Sequence, residues 1–269
     1  MIPYRFENTR TSLDQLDGFR VEFDAETARA DIILDRPPFN IVSVPERDQL
    51  RAVFEALDRD PVVRVVVLRG AGKDFSSGGH IAGFLEASPE HLSDLANNIA
   101  APERCSKPVI AMIRGYCFGV GFEVSLACDF RVAADSAAFA LPEMRLGMIP
   151  GSGGSARLLR MIGITRTKNM TMRGKRITAQ EAYGWGILTE CVPDADLEAT
   201  TAMLVAELCA LSPLAQRTIK RVLNRGQNLS VAGAIELEGE AYGRLRSSDD
   251  FQEGVAAFHD KRKPKFRGT

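Results

Sequence analysis

The run Val62-Val63-Arg64-Val65-Val66-Val67-Leu68 constrains the fold more than any other segment. A continuous apolar stretch of this length and β-branched character reads as a buried strand. The glycine-rich loop Arg69 to His80 follows it, and Pro108 to Ile113 reads as a second short strand. A helix starts near Gly119, and Phe130 to Ala133 and Ala138 to Leu141 read as further short strands. Strand and helix in repeated order predict an α/β core. Upstream, Phe19 to Asp24 and Ala28 to Asp35 alternate as a strand pair, and Arg36-Pro37-Pro38-Phe39-Asn40 breaks regular structure. Pro45 and Glu46 open a helix with Leu50, Val53, Phe54 and Leu57 on one face. Residues 81–104 read as a helical or mobile segment.

Beyond residue 155 the pattern becomes helical, over Ser155–Met161, Ile164–Thr171, Ala179–Trp185, Leu197–Leu211, Ala215–Arg225 and Val231–Arg246. The expected organisation is a polar extension over 1–19, a core over 20–200 and a C-terminal helical region over 201–269. With 34 basic and 35 acidic residues the formal net charge is −1, which gives no global attraction to nucleic acid or an anionic membrane. The start of the chain has no signal-peptide pattern, and no apolar run approaches the roughly 20 residues of a membrane span. A cytoplasmic protein is expected. The five cysteines form no C-x-x-C pair and sit among apolar residues, so buried free thiols are expected. Three histidines without an H-E-x-x-H motif give little basis for a zinc site.

The chemistry concentrates in Ile110–Gly154, where Glu123 and Glu143 stand 20 residues apart in apolar, glycine-rich surroundings. A buried lone carboxylate is costly, so it is neutralised, paired or used. Gly119 and Gly121 permit close backbone approach to a ligand and leave the N–H groups of a helix start free. Glu123 there either serves a reaction or complements the helix dipole. Glu143 follows Pro142 on a rigid turn after a strand; alone it reads as a surface acid, and the pair raises the functional reading. The N–H groups of Gly78 or Gly79 could hold an anion or a polarised carbonyl, although taken alone the loop reads better as a flexible turn. Neither Gly70-Ala71-Gly72 nor Gly151 to Gly154 completes a nucleotide motif. Ser76, Ser77, His80 and His91 lack the G-x-S-x-G context of a hydrolase. Two acids beside backbone donors suit proton transfer with a stabilised oxyanion.

These segments together resemble the crotonase superfamily, and within it the enoyl-CoA hydratase/isomerase family. The similar pieces are Arg36-Pro37 with Asn40, Phe75 to Ile81, Lys107 to Ala111, Gly115 to Asp129, Phe139 to Gly154, Gly174 to Ala182, and Asp249 to Phe266. The resemblance implies a spiral of ββα units with a C-terminal helical region that trimerises, as a homotrimer or a homohexamer. It implies an acyl-CoA thioester as the partner, with coenzyme A part of the substrate and no separate cofactor or metal. By position, Gly79 and Val120 would form the oxyanion hole and Glu123 and Glu143 would be the catalytic acids. Ser77, His80, Ile81, Phe118, Leu141, Pro142 and Gly151 would line the substrate. The basic run Lys261 to Lys265 is of a kind that is usually a solvated tail but could hold phosphates, and with no lysine at Ala82, Lys261 and Lys263 are expected to meet those of CoA.

The chain departs from the family pattern at several of these positions. His80 stands where an acid is common, Ala82 where a lysine is common, and Leu141 where hydratases often carry glutamine. Val120 replaces a glycine and is expected to narrow the approach to the oxyanion site, while Phe118 and Phe122 add bulk. The expected reaction is hydration of an α,β-unsaturated thioester, with Glu123 activating water and Glu143 handling the α-proton. Isomerisation, thioester hydrolysis and retro-aldol cleavage use the same enolate and remain alternatives. A non-catalytic RNA-binding relative is the reading from a different class.

Overall fold

The computed structural model describes residues 1–3 and 15–269, so most of the polar extension read over 1–19 lies outside the described residues. The strands are β1 Ile2–Pro3, β2 Phe19–Asp24, β3 Arg29–Leu34, β4 Val65–Gly70, β5 Val109–Ile113, β6 Tyr116–Phe118, β7 Phe130–Ala134, β8 Ala138–Ala140, β9 Ile177–Thr178 and β10 Glu190–Val192. The α-helices are α1 Val44–Arg59, α2 Pro89–Ile99, α3 Ala101–Arg104, α4 Val120–Ala127, α5 Gly154–Arg173, α6 Ala179–Gly184, α7 Leu197–Cys209, α8 Pro213–Gly226, α9 Val231–Leu245 and α10 Asp249–His259.

Seven strands form one sheet in the order β1-β2-β3-β4-β5-β7-β10, and β6-β8-β9 form a second. From β3 to β10 the large sheet is parallel. Its strands therefore bury both faces. Val66 and Leu68 enter the main core, while Val65 and Val67 join Ile110, Met112 and Val132 under α7. Two isolated parallel bridges, Val42 to Gly79 and Ser76 to Cys117, extend the small sheet across the front of the large one. Each turn of the chain thus contributes a long strand, a short strand or bridge, and then a helix. β5-β6-α4 shows that ββα turn most plainly.

The sequence placed the long elements well, with β4 beginning three residues later than the apolar run, at Val65. β6, β9, β10 and α10 were not read from local pattern. Gly163, at φ 74° and ψ 171°, breaks α5 where two helices were expected. All five cysteines are unpaired, but only Cys105, Cys117 and Cys128 are buried; Cys191 and Cys209 are partly exposed.

α4 is the short helix on which the site is built, and both its ends are tied down. Its first turn receives the chain from β6, and its last turn is held by Arg131 of β7. The buried Arg131 guanidinium donates to Ser125 O at 3.0 Å, Cys128 O at 2.7 Å and Ile187 O at 2.6 Å. Two of these carbonyls terminate α4, where a cation also complements the helix dipole. Ser125 O also accepts from Cys128 N at 3.2 Å, so Arg131→Met should orphan the Cys128 and Ile187 carbonyls and lower stability by roughly 2–6 kcal/mol, given about 1–3 kcal/mol per unsatisfied buried group. Denaturant unfolding that left the midpoint unchanged would refute this account of how α4 is anchored.

Candidate active site

The site begins where two stretches of backbone cross. Ser76 N donates to Tyr116 O at 2.8 Å and Phe118 N donates to Ser76 O at 3.0 Å, so the loop after β4 runs beside β6. It continues until Gly78 lies against Gly119. Both glycines have positive φ, 118° and 52°. A Cβ on Gly78 would lie 3.4 Å from Phe118 O, and one on Gly119 would lie 3.5 Å from Gly78 Cα and 3.2 Å from Glu143 Oε1. Side chains at this crossing would hold the strands apart and crowd the acid.

Just past the crossing lie two backbone donors. Val42 N donates to Gly78 O at 2.9 Å and His80 N donates to Val42 O at 3.1 Å. Strand alternation therefore turns the N–H of Gly79 away from Val42. Val120 is the first residue of α4, so its N–H has no intrahelical acceptor. Among the described residues neither N–H donates to a protein acceptor. The Val120 side chain packs into the main core at 3 % exposure, so it does not narrow the approach as the sequence led us to expect. The helix start directs its N–H outward and its side chain inward.

Glu123 lies one turn into α4 and is 3 % exposed. Its Oε1 accepts from Ser152 N at 2.8 Å and Gly154 N at 3.0 Å. Those donors open α5, so the carboxylate rests on a helix N-terminus where negative charge is favoured. Glu143 begins the 3-10 turn Glu143–Leu146 that follows β8 and Pro142. Its Oε2 is buried and makes no hydrogen bond. Burial pushes the Glu143 carboxyl up to about 7, with the negative charge of Glu123 adding to the effect against a backbone hydrogen bond that lowers it. The two acids thus have different environments, one clamped by donors and one poised to exchange a proton near neutrality.

Two contributors were not found in the sequence. Ser152 supplies one of the N–H groups that fix Glu123. Arg47, in the first turn of α1, is only 4 % exposed and reaches under the Gly79 loop. The sequence signal at Arg47 is poor, because Glu46-Arg47-Asp48 looks like a solvated helix start.

Other expected residues divide between pocket and scaffold. Ser77 is half-buried, and its N–H donates to Phe39 O at 2.9 Å. His80 and Ile81 are exposed beside the loop, and Pro142 leads into Glu143. Gly151 is exposed and open around its Cα, while its neighbours Ser152 and Gly154 hold Glu123. Leu141 is fully buried in the core, so it supports the floor beneath Gly154 instead of facing a substrate. Phe122 is likewise a core residue, packed against Phe139 at 5.3 Å, and adds no bulk to the site. Phe118 stacks on Tyr116 at 4.9 Å with the Arg176 guanidinium 4.6 Å from its ring. Lys261 and Lys263 lie exposed beyond α10, and among the described residues neither ammonium has an ion-pair partner.

A spiral of ββα turns that gathers two uncommitted N–H groups and two acids at one crossing defines an enzyme of the crotonase superfamily. The chain belongs to the enoyl-CoA hydratase/isomerase family, whose model matches residues 24–269. It is 35% identical over 246 residues to a carnitinyl-CoA dehydratase of Proteus mirabilis (strain HI4320), covering 88% of this chain and 94% of that one. A carnitinyl-CoA dehydratase of Escherichia coli (strain K12) is also 35% identical, over 256 residues and with the same coverage, 88% and 94%. Among solved structures, an enoyl-CoA hydratase from Bacillus anthracis matches with a TM-score of 0.87 at 33% identity, covering 94% of this chain and 100% of that one.

The raised Glu143 carboxyl makes a stability prediction. An ordinary glutamate at 4.5 in the unfolded chain becomes about 7 when folded, so the folded form holds the extra proton between those values. Stability then falls as pH rises from about 4.5 to 7 and stays at the lower level above. Glu143→Gln removes that loss, so its gain in thermal midpoint over the parent should grow from pH 5 to pH 8. A gain that is the same at both pH values would contradict the assignment.

Proposed function

We propose that the chain adds water across the double bond of an α,β-unsaturated acyl-CoA and runs the reverse dehydration at the same site. The observation that carries this reading is the pair of unlike acids. Glu123 is fixed by two N–H donors, and Glu143 is uncommitted with a pKa near neutrality. In the proposed reaction the thioester oxygen accepts from Gly79 and Val120 N–H, which stabilise the enolate as it forms. Donors of this kind are each worth a factor of about 10²–10³. Glu123 orients and deprotonates the water that attacks the β-carbon, and Glu143 delivers a proton to the α-carbon. Positioned proton transfer adds roughly 10²–10⁴. The dehydratase names of the relatives favour hydration over isomerisation, hydrolysis or retro-aldol cleavage.

The rest of the proposal follows the family. Coenzyme A enters as part of the substrate, with no separate cofactor, and Lys261 and Lys263 approach its phosphates. The proposed assembly is a homotrimer or homohexamer in the cytoplasm, with no nucleic-acid or membrane partner. Exposed apolar side chains on the C-terminal helices, among them Leu223, Ile235, Tyr242 and Phe258, would be covered by neighbouring copies. Sedimentation at micromolar concentration should give a trimer or hexamer; a stable monomer would oppose the assembly. A carnitinyl acyl group is a poor fit to this chain, because its quaternary ammonium would share the site with the cationic Arg47.

Water addition consumes no net proton, so both directions use the pair of acids with a single shared proton. The value of kcat/KM should therefore fall about tenfold per pH unit above a pKa near 7, in hydration and dehydration alike. Glu123→Gln should abolish hydration yet leave α-proton exchange in deuterated water, whereas Glu143→Gln should lose both. A flat profile from pH 6 to 9, or full hydratase activity in either variant, would remove the two-acid mechanism.

A further inference from the structure

Arg47 is a buried cation without an ion-pair partner among the described residues. Its guanidinium can donate five hydrogen bonds. Yet Nε has no partner, and the one bond its side chain makes is from Nη1 to Ser152 Oγ at 3.4 Å. Among the described residues no carboxylate lies within ion-pair distance of it. Its neighbour Glu46 pairs with Arg36 at 3.4 Å instead, and Glu123 directs Oε1 to Ser152 and Gly154. The Phe84 ring, 5.2 Å from the guanidinium carbon, offers partial compensation. Burial pulls the Arg47 guanidinium below its ordinary range, and the negative charges of Glu123 and Glu46 oppose that. Those charges act from a distance, and a buried arginine with no carboxylate on its donors is costly unless a bound ligand completes it.

The location identifies which ligand group would do so. Nη2 lies 3.0 Å from where a Cβ on Gly79 would stand, and Nη1 reaches the residue whose N–H holds Glu123. Arg47 therefore lies between the Gly79 loop and the residue that holds Glu123, beside the groups to which the proposed reaction brings the acyl chain. A plain alkyl chain would leave its donors empty, and a cationic one would be repelled. A carboxylate matches the guanidinium fork in both charge and geometry.

We propose that Arg47 binds a carboxylate carried by the acyl group, so that the substrate class is the CoA monothioester of a short unsaturated dicarboxylic acid. This rests on the acyl-CoA reading above and adds the acyl end group to it. The carboxylate takes the vacant guanidinium donors, fixes the chain's register, and brings its α- and β-carbons to Glu143 and Glu123. It also supplies the direct ion-pair partner that the buried arginine lacks among the described residues.

Saturated thioesters separate this recognition from catalysis, because they cannot be hydrated. By titration calorimetry, glutaryl-CoA should bind the unaltered protein roughly 10–100-fold more tightly than valeryl-CoA, the range expected for one desolvated charge-assisted contact. In Arg47→Met that ratio should collapse towards one, while Arg47→Lys keeps part of it. Equal affinities in the unaltered protein would overturn the proposal without any variant having to fold. A preference that persists in a folded Arg47→Met protein would also overturn it. Crotonyl-CoA and glutaconyl-CoA turnover distinguishes the two levels of argument. Absence of hydration for both thioesters removes the hydratase reading, whereas turnover of crotonyl-CoA without any glutaryl-CoA preference removes only the role of Arg47.

Discussion

The carboxylate of Glu123, accepting from Ser152 and Gly154 N–H, ties together parts of the chain that separate folding turns supply. One side of this contact is the first turn of α4 and the other is the start of α5. A methyl group on Gly154 would lie 2.9 Å from Glu123 Cγ and 3.1 Å from Leu141 Cδ1, so the space beside the acid is already full. The acid cannot swing away, and its charge is balanced by backbone donors. That leaves Glu143 as the carboxyl with freedom to take up or release a proton. The difference in environment between the two acids thus originates in where two helices begin.

A second constraint acts on the opposite wall. Gly78 and Gly119 approach closely enough that a side chain on Gly119 would meet both Gly78 and the Glu143 carboxyl. Beside the crossing, the N–H of Gly79 belongs to a bridge residue and the N–H of Val120 to a helix start. Neither donor is a side chain, so substitution at Val120 costs the site nothing as long as the core can hold the new residue. A valine is accommodated here because its side chain turns into the packed interior. Backbone chemistry tolerates a change of residue type that side-chain chemistry would not.

The fold was legible wherever an element was long enough to show a period or a continuous apolar run. The valine-rich β4 and the amphipathic α1 were read directly. The strands β6, β9 and β10, two or three residues each, are too short to establish alternation, and their existence depends on partners distant in sequence. Of the site, the two glutamates and the glycine stretches were visible because acids and glycines stand out in apolar surroundings. The resemblance to a known family then assigned Gly79 and Val120. Leu141 and Phe122 were misjudged for one reason: position in a motif gives nearness to the site, whereas the direction of a side chain depends on the packing around it.

Arg47 shows the limit from the other direction. Between Glu46 and Asp48 it belongs to a run of charges that normally marks a solvated face. Two facts of tertiary structure change its meaning. The capping box formed by Ser43 and Glu46 fixes where α1 begins, and Arg36 already occupies Glu46. The helix start therefore presents Arg47 inward with its nearest sequence acid committed elsewhere. A surface arginine would be satisfied by water, but this one is enclosed by Phe84, the Gly79 loop and Ser152. The same desolvation that makes the free cation costly would strengthen its attraction to an anion entering the pocket. On the proposed role of Arg47, the charge of the acyl end group, more than its length, would decide which thioester is held.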